Sequence, residues 1–329
     1  MLDWDAGSPL LADAPARFET TAALDYATAL TRRAPLPGEG ATLALWQLLS
    51  ALGARDLQLA RAVEPHLDAV AILAQAGIRD LPDDLAWGVF AAEAPGTRLD
   101  AVPAEGRWLL DGVKPWCSLA GSVGAALVSA HTDAGRALFA VDLRQQGIDV
   151  EPGGWHARGL VDIPSGPVAF TRVSATAIGE PGWYLERPGF AWGGMAVAAC
   201  WFGGAIGLAR TAHSAIDPDD PLRAMHLGAI DLALHASALA LTDAAAVVDA
   251  GVATGPRGAL LARRVRGIVA AACETVLERV GHALGPAPLA LDEEHAARVA
   301  DLTLYVRQHH AERDLASLGR AVSEIERPW

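Results

Sequence analysis

The chain of 329 residues carries a net charge of −13 at neutral pH, and 52% of its residues are apolar while 20% are charged. This apolar content can build a large core, which excludes an intrinsically disordered chain, and the acidic surface argues against binding to the phosphate backbone of nucleic acids. Three widely spaced cysteines without a C-x-x-C pair argue against a disulfide scaffold and against a zinc–thiolate site.

The first 90 residues are predicted to be mostly helical. Apolar residues recur at intervals of three and four over Leu43–Leu49 and Leu57–Leu73, as on one face of a helix. Pro35–Gly40 is rich in proline and glycine and is predicted to be a loop. The acidic N-terminus lacks the basic-then-apolar order of a signal peptide, so we expect a cytoplasmic protein with an N-terminal helical domain over residues 1–90.

Residues 91–182 have the pattern of a central β domain. Apolar runs of strand length occur at Trp108–Lys114, Ala125–Ala130, Ala137–Leu143 and Gly166–Val173, and His131–Arg136 has the composition of a hairpin connection. Short strands at this spacing are typical of a small antiparallel barrel or sandwich.

Residues 183–329 are again helical in pattern. The sequence predicts four long helices over about residues 191–216, 222–250, 257–284 and 293–322, separated by proline-containing breaks at 217–221 and 285–288. Four antiparallel helices of this length predict a C-terminal four-helix bundle. The predicted fold is therefore α+β with three domains.

One uncharged segment, Phe190–Ala209, is long enough to cross a membrane. Five of its residues are glycine and no basic cluster flanks it, which favours a helix buried among other helices over a membrane span. The apolar surface of this run and of the amphipathic helices exceeds what one bundle needs to bury. We therefore expect a homodimer or a homotetramer.

Several segments resemble the acyl-CoA dehydrogenase family. The most specific is Trp108–Ser118, WLLDGVKPWCS, which is similar to the family's β-domain signature of a strand, a turn, lysine and W-x-T/S. Weaker similarities lie at Leu138–Val141, Phe170–Val173, Gly179–Gly182, Gly203–Ala209 and Arg298–Asp301. Together they extend over about residues 40 to 320.

The resemblance implies FAD, held between the β domain and the bundle. By position in W-x-S, it implies that Trp116 packs near the flavin ring and Ser118 contacts the ring edge, with Cys117 between them. Glu93 matches the glutamate of a flavin-contacting T-E-P element, and Arg223 is the candidate for an arginine that reaches the cofactor phosphates of a neighbouring subunit. Two simpler interpretations are that Trp116 only packs the barrel and that Glu93 is a solvated loop residue.

The family's catalytic glutamate is missing. His309 stands at the matching position and Glu312 follows one helical turn later, and the alternative location near Val197 contains no acidic residue. An imidazole can act as a base near neutral pH, so His309 and Glu312 are the candidate catalytic residues. The same stretch also fits an ordinary polar helix face. Adjacent histidines point about 100° apart on a helix, which disfavours a shared metal.

Three functions remain open. The resemblance implies α,β-dehydrogenation of an acyl thioester or another small-molecule substrate, with an electron-transfer flavoprotein as a candidate electron acceptor. A histidine in the last helix is also similar to the flavin monooxygenases that share the fold. A non-catalytic subunit that has lost its base is the third alternative. Neither a Walker-type phosphate loop nor a G-x-S-x-G element is present to support an NTPase or an α/β-hydrolase.

Overall fold

A computed structural model describes Trp4, residues 8–150, residues 154–215, Asp217 and residues 219–327. Most of the acidic N-terminus therefore lies outside the described residues. So do Ile216, at the end of the helix predicted over 191–216, and Pro218 in the predicted break at 217–221.

The N-terminal part consists of three helices, α1 (Thr20–Ala29), α2 (Thr42–Arg55) and α3 (Leu57–Gln75). The Asp56 carboxylate caps α3 by accepting hydrogen bonds from the amides of Gln58 and Leu59, which satisfies donors that the helix itself leaves free. The helices predicted over Leu43–Leu49 and Leu57–Leu73 are confirmed. Both are longer than the periodic runs because the flanking turns also bury apolar side chains.

The central part is a sheet of strands β1 (Trp87–Phe90), β2 (Leu99–Ala104), β3 (Arg107–Lys114), β4 (Ala125–Thr132), β5 (Gly135–Asp142), β6 (Ile148–Val150) and β7 (Val168–Ile178). Five of these strands close into a barrel in the order β4-β2-β3-β7-β5, with β5 pairing back onto β4. The predicted barrel is thus present in the described part of the chain.

The prediction of a purely antiparallel barrel is wrong in one respect, because β4 runs parallel to both β1 and β2. Strand β3 pairs with one side of β2 and β4 with the other, so β3 is the strand that returns between these two parallel strands, and the segment between β3 and β4 leads past the start of β2. Strand β1 also lies within the stretch that the pattern predicts as mostly helical. Its four residues are too few for a clear alternation.

The C-terminal part contains α4 (Trp183–Glu186), α5 (Pro188–Ala215), α6 (Pro221–Asp249), α7 (Gly255–Leu284), α8 (Pro286–Leu291), α9 (Glu293–Tyr305) and α10 (Glu312–Ser323). Three of the four predicted long helices are present. A short helix, α8, occupies the predicted break at 285–288.

The fourth long helix, predicted over 293–322, is interrupted. A 3-10 turn, Val306–Gln308, follows α9, and then His309 is extended and Ala311 has a φ of 42° before α10 begins. The guanidinium of Arg266 on α7 donates to the Gln308 carbonyl over 3.0 Å. This tertiary hydrogen bond uses a carbonyl that a continuous helix would need, which the polar pattern of the segment does not reveal.

Helix α5 is the centre of the helical part and packs against α2 and α7. A Cβ on Gly203 would come within 2.0 Å of the Ser50 carbonyl oxygen, so glycine allows α2 and α5 to touch along their backbones. Helices α5 and α6 are both long and apolar enough to span a membrane, which by itself is weak evidence. The apolar window of α5 is 67% buried in the fold, in agreement with the predicted buried helix, whereas that of α6 is 22% buried.

Candidate functional site

The segment after β3 forms a strained turn. Trp116 and Leu119 have φ angles of 59° and 53°, in the left-handed region that side chains other than glycine rarely adopt, at a cost of roughly 1–3 kcal/mol each. The amides of Cys117 and Leu119 donate to the carbonyls of Gly166 and Pro164, which holds the turn in place. The Trp116 side chain is 57% exposed. Its indole therefore does not fill the barrel, and the simpler interpretation of this residue finds no support.

Ser118, two residues after Trp116, joins the barrel to the helices. Its hydroxyl accepts a 2.6 Å hydrogen bond from the Arg61 guanidinium on α3 and shares a 2.7 Å hydrogen bond with the Ser165 hydroxyl. Ser118 is almost fully buried. The turn thus presents an exposed indole on one side and a fixed hydroxyl on the other.

Cys117 has a packing role in this turn. Its thiol is buried and donates to the Lys114 carbonyl over 3.3 Å. Burial raises the pKa of the thiol to about 12, so it is protonated at neutral pH and is a poor nucleophile. Of the three residues Trp116–Ser118, Cys117 is the one whose side chain turns into the barrel.

Glu93 is held by charged partners and is not a free loop residue. Its carboxylate lies 2.6 Å from the Lys114 ammonium, 3.4 Å from the Arg136 guanidinium and 3.5 Å from the His131 ring. Burial opposes ionisation, but the hydrogen bond and charge of Lys114, together with Arg136, lower the pKa of Glu93. Glu93 therefore balances a buried lysine of the barrel, next to the strand that leads to Trp116.

Behind Ser118 lies a buried cluster of charged and polar side chains. The Arg61 guanidinium is 3.9 Å from the Glu64 carboxyl, one helical turn away on α3, and 5.7 Å from the centre of the Tyr305 ring on α9. Arg266 on α7 lies 4.7 Å from the centre of the Trp201 ring and donates to the Gly194 carbonyl over 2.7 Å. These groups come from four helices, α3, α5, α7 and α9.

Glu64 is a strongly perturbed acid of this cluster. Burial, assisted by the negative charge of Asp68, raises its pKa to about 8 against the opposing effect of Arg61 and Arg266. The carboxyl is therefore mostly protonated at neutral pH. Burial also raises the pKa of Asp68, which lies 4.0 Å from the Arg187 guanidinium.

A cavity of 660 Å³ opens at the end of this row of charges. It lies between the Pro35–Gly40 loop, the end of α3 and the beginning of α5, and its lining includes Gln75, Trp183, Arg187 and Trp192. The Arg187 guanidinium donates to the Gln75 amide oxygen over 2.8 Å. Arg187 and Asp68 thus connect the cavity with the interior around Glu64.

His309 lies next to Arg266, which donates to the carbonyl of the preceding residue, Gln308. Its side chain is only 10% exposed, and its Nε2 atom is 3.8 Å from the Asp314 carboxylate. Burial lowers the pKa of His309, Asp314 opposes this, and Arg266 adds to it. The imidazole is therefore neutral at pH 7 and able to accept a proton. The structure brings His309 to the cluster, but in the extended link between α9 and α10 and not on a helix.

Two of the predicted site residues, Glu312 and Arg223, do not join the Trp116–Ser118 turn or the buried cluster. Glu312 begins α10, is exposed and has no ion pair among the described residues. Arg223 lies in the first turn of α6, 3.4 Å from Asp220, and α6 packs on α2, α5 and α7. Within one chain, Arg223 therefore takes no part in the arrangement around Trp116 and Ser118.

The Arg298–Asp301 segment positions the surrounding loops. The Asp301 carboxylate accepts a hydrogen bond from the Leu160 amide over 2.5 Å, and the Arg298 guanidinium donates to the carbonyls of Ala54 and Arg55. A Cβ on Gly159 would come within 2.0 Å of the Ala300 carbonyl oxygen. This segment therefore fixes α9 against both the barrel loop and α2.

One feature of the sequence indicates the buried cluster, although it belongs to none of the family-like motifs. Arg61, Glu64 and Asp68 are spaced three and four residues apart, so they lie on one face of a helix whose other positions are largely apolar. Charged residues within the buried part of a helix are costly unless they are paired or functional. Arg266 and Tyr305 carry no comparable signal, since their role appears only when α7 and α9 are packed.

Comparison with known proteins gives the fold. No protein-family model matches the chain, and no curated protein matches it. The chain is similar to butyryl-CoA dehydrogenase from Megasphaera elsdenii, with a TM-score of 0.80 and 13% identity over 96% of this chain and 93% of that one. It is similar to KijD3 in complex with FMN and a dTDP-linked amino sugar, with a TM-score of 0.77 and 19% identity over 92% and 87%. It is also similar to FMN-bound TdsC from Paenibacillus, with a TM-score of 0.72 and 15% identity over 84% and 82%.

These similarities show that the chain has the fold of the acyl-CoA dehydrogenases and of related flavin enzymes, as the resemblance in the sequence implied.

Proposed function

We propose that the protein is a flavin-dependent oxidoreductase whose flavin ring lies against the Trp116–Ser118 turn. The observation that carries this proposal is the turn itself. A strained backbone holds a large indole in an exposed position beside a hydroxyl that Arg61 fixes. Strain of this kind persists where the surrounding structure maintains it, commonly at binding sites. The FMN bound to KijD3 and TdsC, which share the fold, supports a flavin as the ligand.

The residues of the turn suit a flavin ring. An indole offers a flat apolar wall for an aromatic ring system. The Ser118 hydroxyl accepts from Arg61 and can donate its own proton to a ring heteroatom in exchange for its bond with Ser165. When bound, a flavin would accept a hydride, which carries two electrons, from a substrate.

Within one chain, the phosphate-containing tail of the cofactor has fewer candidate binding residues than the flavin ring. Arg223 lies 3.4 Å from Asp220 on α6 and reaches a flavin phosphate only from a second copy of the chain. FAD, which the resemblance implies, is therefore proposed together with a homodimer or homotetramer. Binding of FMN would not require Arg223 from a second copy of the chain.

For the reaction we propose α,β-dehydrogenation of a small substrate that carries a polar or charged group, an acyl thioester being the first candidate. His309 is the proposed base, because its buried imidazole is neutral and has an acceptor nitrogen. The cavity beside Arg187 is the proposed entrance. Charged side chains along the path disfavour a long apolar acyl chain. An electron-transfer flavoprotein is the proposed electron acceptor.

A second candidate function is flavin-dependent monooxygenation. The observation that favours it is the replacement of the expected glutamate by His309, together with the similarity to FMN-bound TdsC. Anaerobic mixing of the flavin-loaded protein with acyl thioesters separates the two functions. Dehydrogenation bleaches the visible absorbance of the flavin without oxygen. Monooxygenation requires reduced flavin and consumes oxygen. Neither response with flavin bound would leave a non-catalytic subunit as the better interpretation.

A further inference from the structure

Two fixed indoles form part of the wall of the 660 Å³ cavity at the end of α3. The Nε1 atom of Trp192 donates to the Ala253 carbonyl over 2.8 Å, and its ring packs on Gly38, where a Cβ would come within 2.7 Å of it. Trp183 packs on Gly179 in the same way, at 2.6 Å. Both tryptophans line the cavity and are half-buried. The cavity therefore presents aromatic surface whose position is set before a ligand binds.

The charge that faces this cavity is negative. Three glutamates, Glu39, Glu180 and Glu186, and one cation, Arg187, are among the described residues that line it. Glu39 is paired with Arg79 over 2.7 Å, but Glu180 and Glu186 are exposed and form no ion pair with the described residues. Two unpaired carboxylates and two indoles therefore lie at the same cavity.

Arg187 does not neutralise these carboxylates, because its guanidinium is held by other partners. It donates to the Gln75 amide oxygen over 2.8 Å, lies 4.0 Å from the Asp68 carboxylate and stacks 5.1 Å from the centre of the Tyr184 ring. The side chain is only 3% exposed, and its Nε atom has no acceptor among the described residues. Arg187 thus leaves one buried donor of the lining for an oxygen atom of a ligand.

We propose that this cavity binds an organic ammonium cation that also carries an oxygen acceptor. A cation at an indole is attracted by the negative potential of the ring face, and nearby carboxylates add to the attraction. Methyl groups on the nitrogen suit the apolar surface that Pro37, Pro181 and Pro188 contribute to the lining. An anion in the same place would be repelled by the two unpaired carboxylates.

The charge of the cavity also bears on the substrate, because the cavity is the proposed entrance of the oxidoreductase. Substrates with an ammonium group at the end remote from the reacting carbons are favoured there, a preference that rests on the proposed function. A volume of 660 Å³ is larger than an ammonium group alone and lies within the range of small-molecule sites. The rest of a small substrate therefore fits as well.

Choline and its uncharged isostere 3,3-dimethylbutan-1-ol test the proposal by isothermal titration calorimetry on the protein without flavin. The two probes share their shape and their hydroxyl and differ in charge. We expect choline to bind at least about tenfold more tightly, because the indoles and carboxylates attract only the cation. Equal affinity for the two probes would overturn the proposal. Ethyltrimethylammonium, which lacks the hydroxyl, should bind about threefold more weakly than choline, and equal binding would contradict the part assigned to Arg187.

Substitution of an indole separates the attraction of the cation from packing, because the affinities of choline and its isostere are compared within each variant. Trp192→Leu should lower the ratio of the two affinities about threefold to tenfold, and Trp192→Phe, which keeps an aromatic face, should lower it less. Trp155→Leu is the control and should keep the ratio. Trp155 is another half-buried indole that donates to a backbone carbonyl, that of Leu160.

The carboxylates are tested at an exposed position, where a substitution has little effect on the fold. Glu186→Gln should weaken choline binding about threefold and leave binding of the isostere unchanged. Glu105→Gln is the control, since Glu105 is an exposed glutamate in the turn between β2 and β3. An unchanged ratio of affinities in both Trp192→Leu and Glu186→Gln would show that choline binds elsewhere and would overturn the proposal.

Flavin separates the cation site from the proposed function. If the protein binds no flavin but choline binds with the expected variant effects, the proposed function fails while the cation site stands. In the flavin-loaded protein without oxygen, an acyl thioester that ends in a trimethylammonium group should bleach the flavin at a lower concentration than one that ends in a tert-butyl group. Bleaching at equal concentrations would overturn the preference for a cationic substrate.

Discussion

Trp116 combines a left-handed backbone with a half-exposed aromatic side chain. Neither property stabilises the fold, since the backbone is strained and the indole remains in contact with water. Glu64 presents a similar situation in the interior, as a buried carboxyl whose ion pair with Arg61 is long, at 3.9 Å. Residues that lower the stability of the folded state in this way indicate that a bound ligand offsets their cost.

Replacing Trp116 by alanine separates binding from stability. We expect flavin affinity to fall at least about tenfold because the wall against the ring is lost. The free energy of unfolding should fall by no more than about 2 kcal/mol, since more than half of the side chain is already exposed. Val102→Ala is the matched control, because Val102 is an exposed residue of the same barrel, 48% accessible. A titration by flavin fluorescence quenching measures the affinity, and equal affinities of the two variants would contradict the role of Trp116.

His309 carries the proposed proton transfer. His309→Gln keeps a polar side chain of similar size but removes the basic nitrogen, so substrate turnover should fall by roughly two to four orders of magnitude. Flavin binding should be unaffected, because no hydrogen bond or ion pair among the described residues joins His309 to the Trp116–Ser118 turn. Glu312→Gln is the control, as Glu312 is exposed at the start of α10. A larger effect of Glu312→Gln than of His309→Gln would move the base to α10.

The secondary structure was predicted correctly where local sequence signals and tertiary packing favour the same element. Helices α2 and α3 were predicted because apolar residues mark the buried face of both. The break between α9 and α10 was not predicted, because Arg266, more than 40 residues away, determines it through the Gln308 carbonyl. The parallel pairing of β4 likewise depends on a crossover that no local pattern specifies.

His66 ties three elements together and makes stability depend on pH. Its Nδ1 atom accepts from the Trp87 amide on β1, and its Nε2 atom lies 3.0 Å from the Thr31 hydroxyl that follows α1. Burial lowers its pKa to about 4 from 6.5. The unfolded chain therefore takes up a proton first as pH falls, and this group alone should lower the free energy of unfolding by about 3 kcal/mol between pH 6.5 and pH 4.

Chemical denaturation at pH 7 and pH 4.5 measures this effect. The wild type should lose more stability between the two values than His66→Gln, which has no titrating ring. His213→Gln, at an exposed position near the end of α5, should behave as the wild type. An equal loss in His66→Gln and the wild type would show that His66 is not responsible.

The whole molecule assembles its site from parts that are distant in the chain. The sequence motif located one side of it, Trp116 to Ser118, because this side is a contiguous segment. The other side, with Arg61, Arg266 and Tyr305, exists only after three helices have packed, so no spacing in the sequence could combine these residues. The role proposed for Arg223 extends the same principle, since it requires a second copy of the chain.

An exposed apolar stripe on α6 supports such an assembly. Leu222, Met225, Leu232 and Leu239 lie on one face of the helix and are each at least half exposed. We expect a homodimer or homotetramer, and Leu232→Glu should shift it toward the monomer by placing a charge in the stripe. Leu291→Glu is the control, since Leu291 is exposed on α8. Light scattering at micromolar concentration measures the mass, and a wild type at the 34.2 kDa of one chain would contradict the expectation.

The decisive measurement is whether the protein binds a flavin. The purified protein is titrated with FAD and, separately, with FMN, and binding is followed by flavin fluorescence and by the visible absorbance of the protein after gel filtration. We expect one flavin per chain, with FAD favoured over FMN and this preference lost in Arg223→Ala. A flat titration with both cofactors, in protein that is folded and of the expected mass, would show that the protein is not a flavin enzyme.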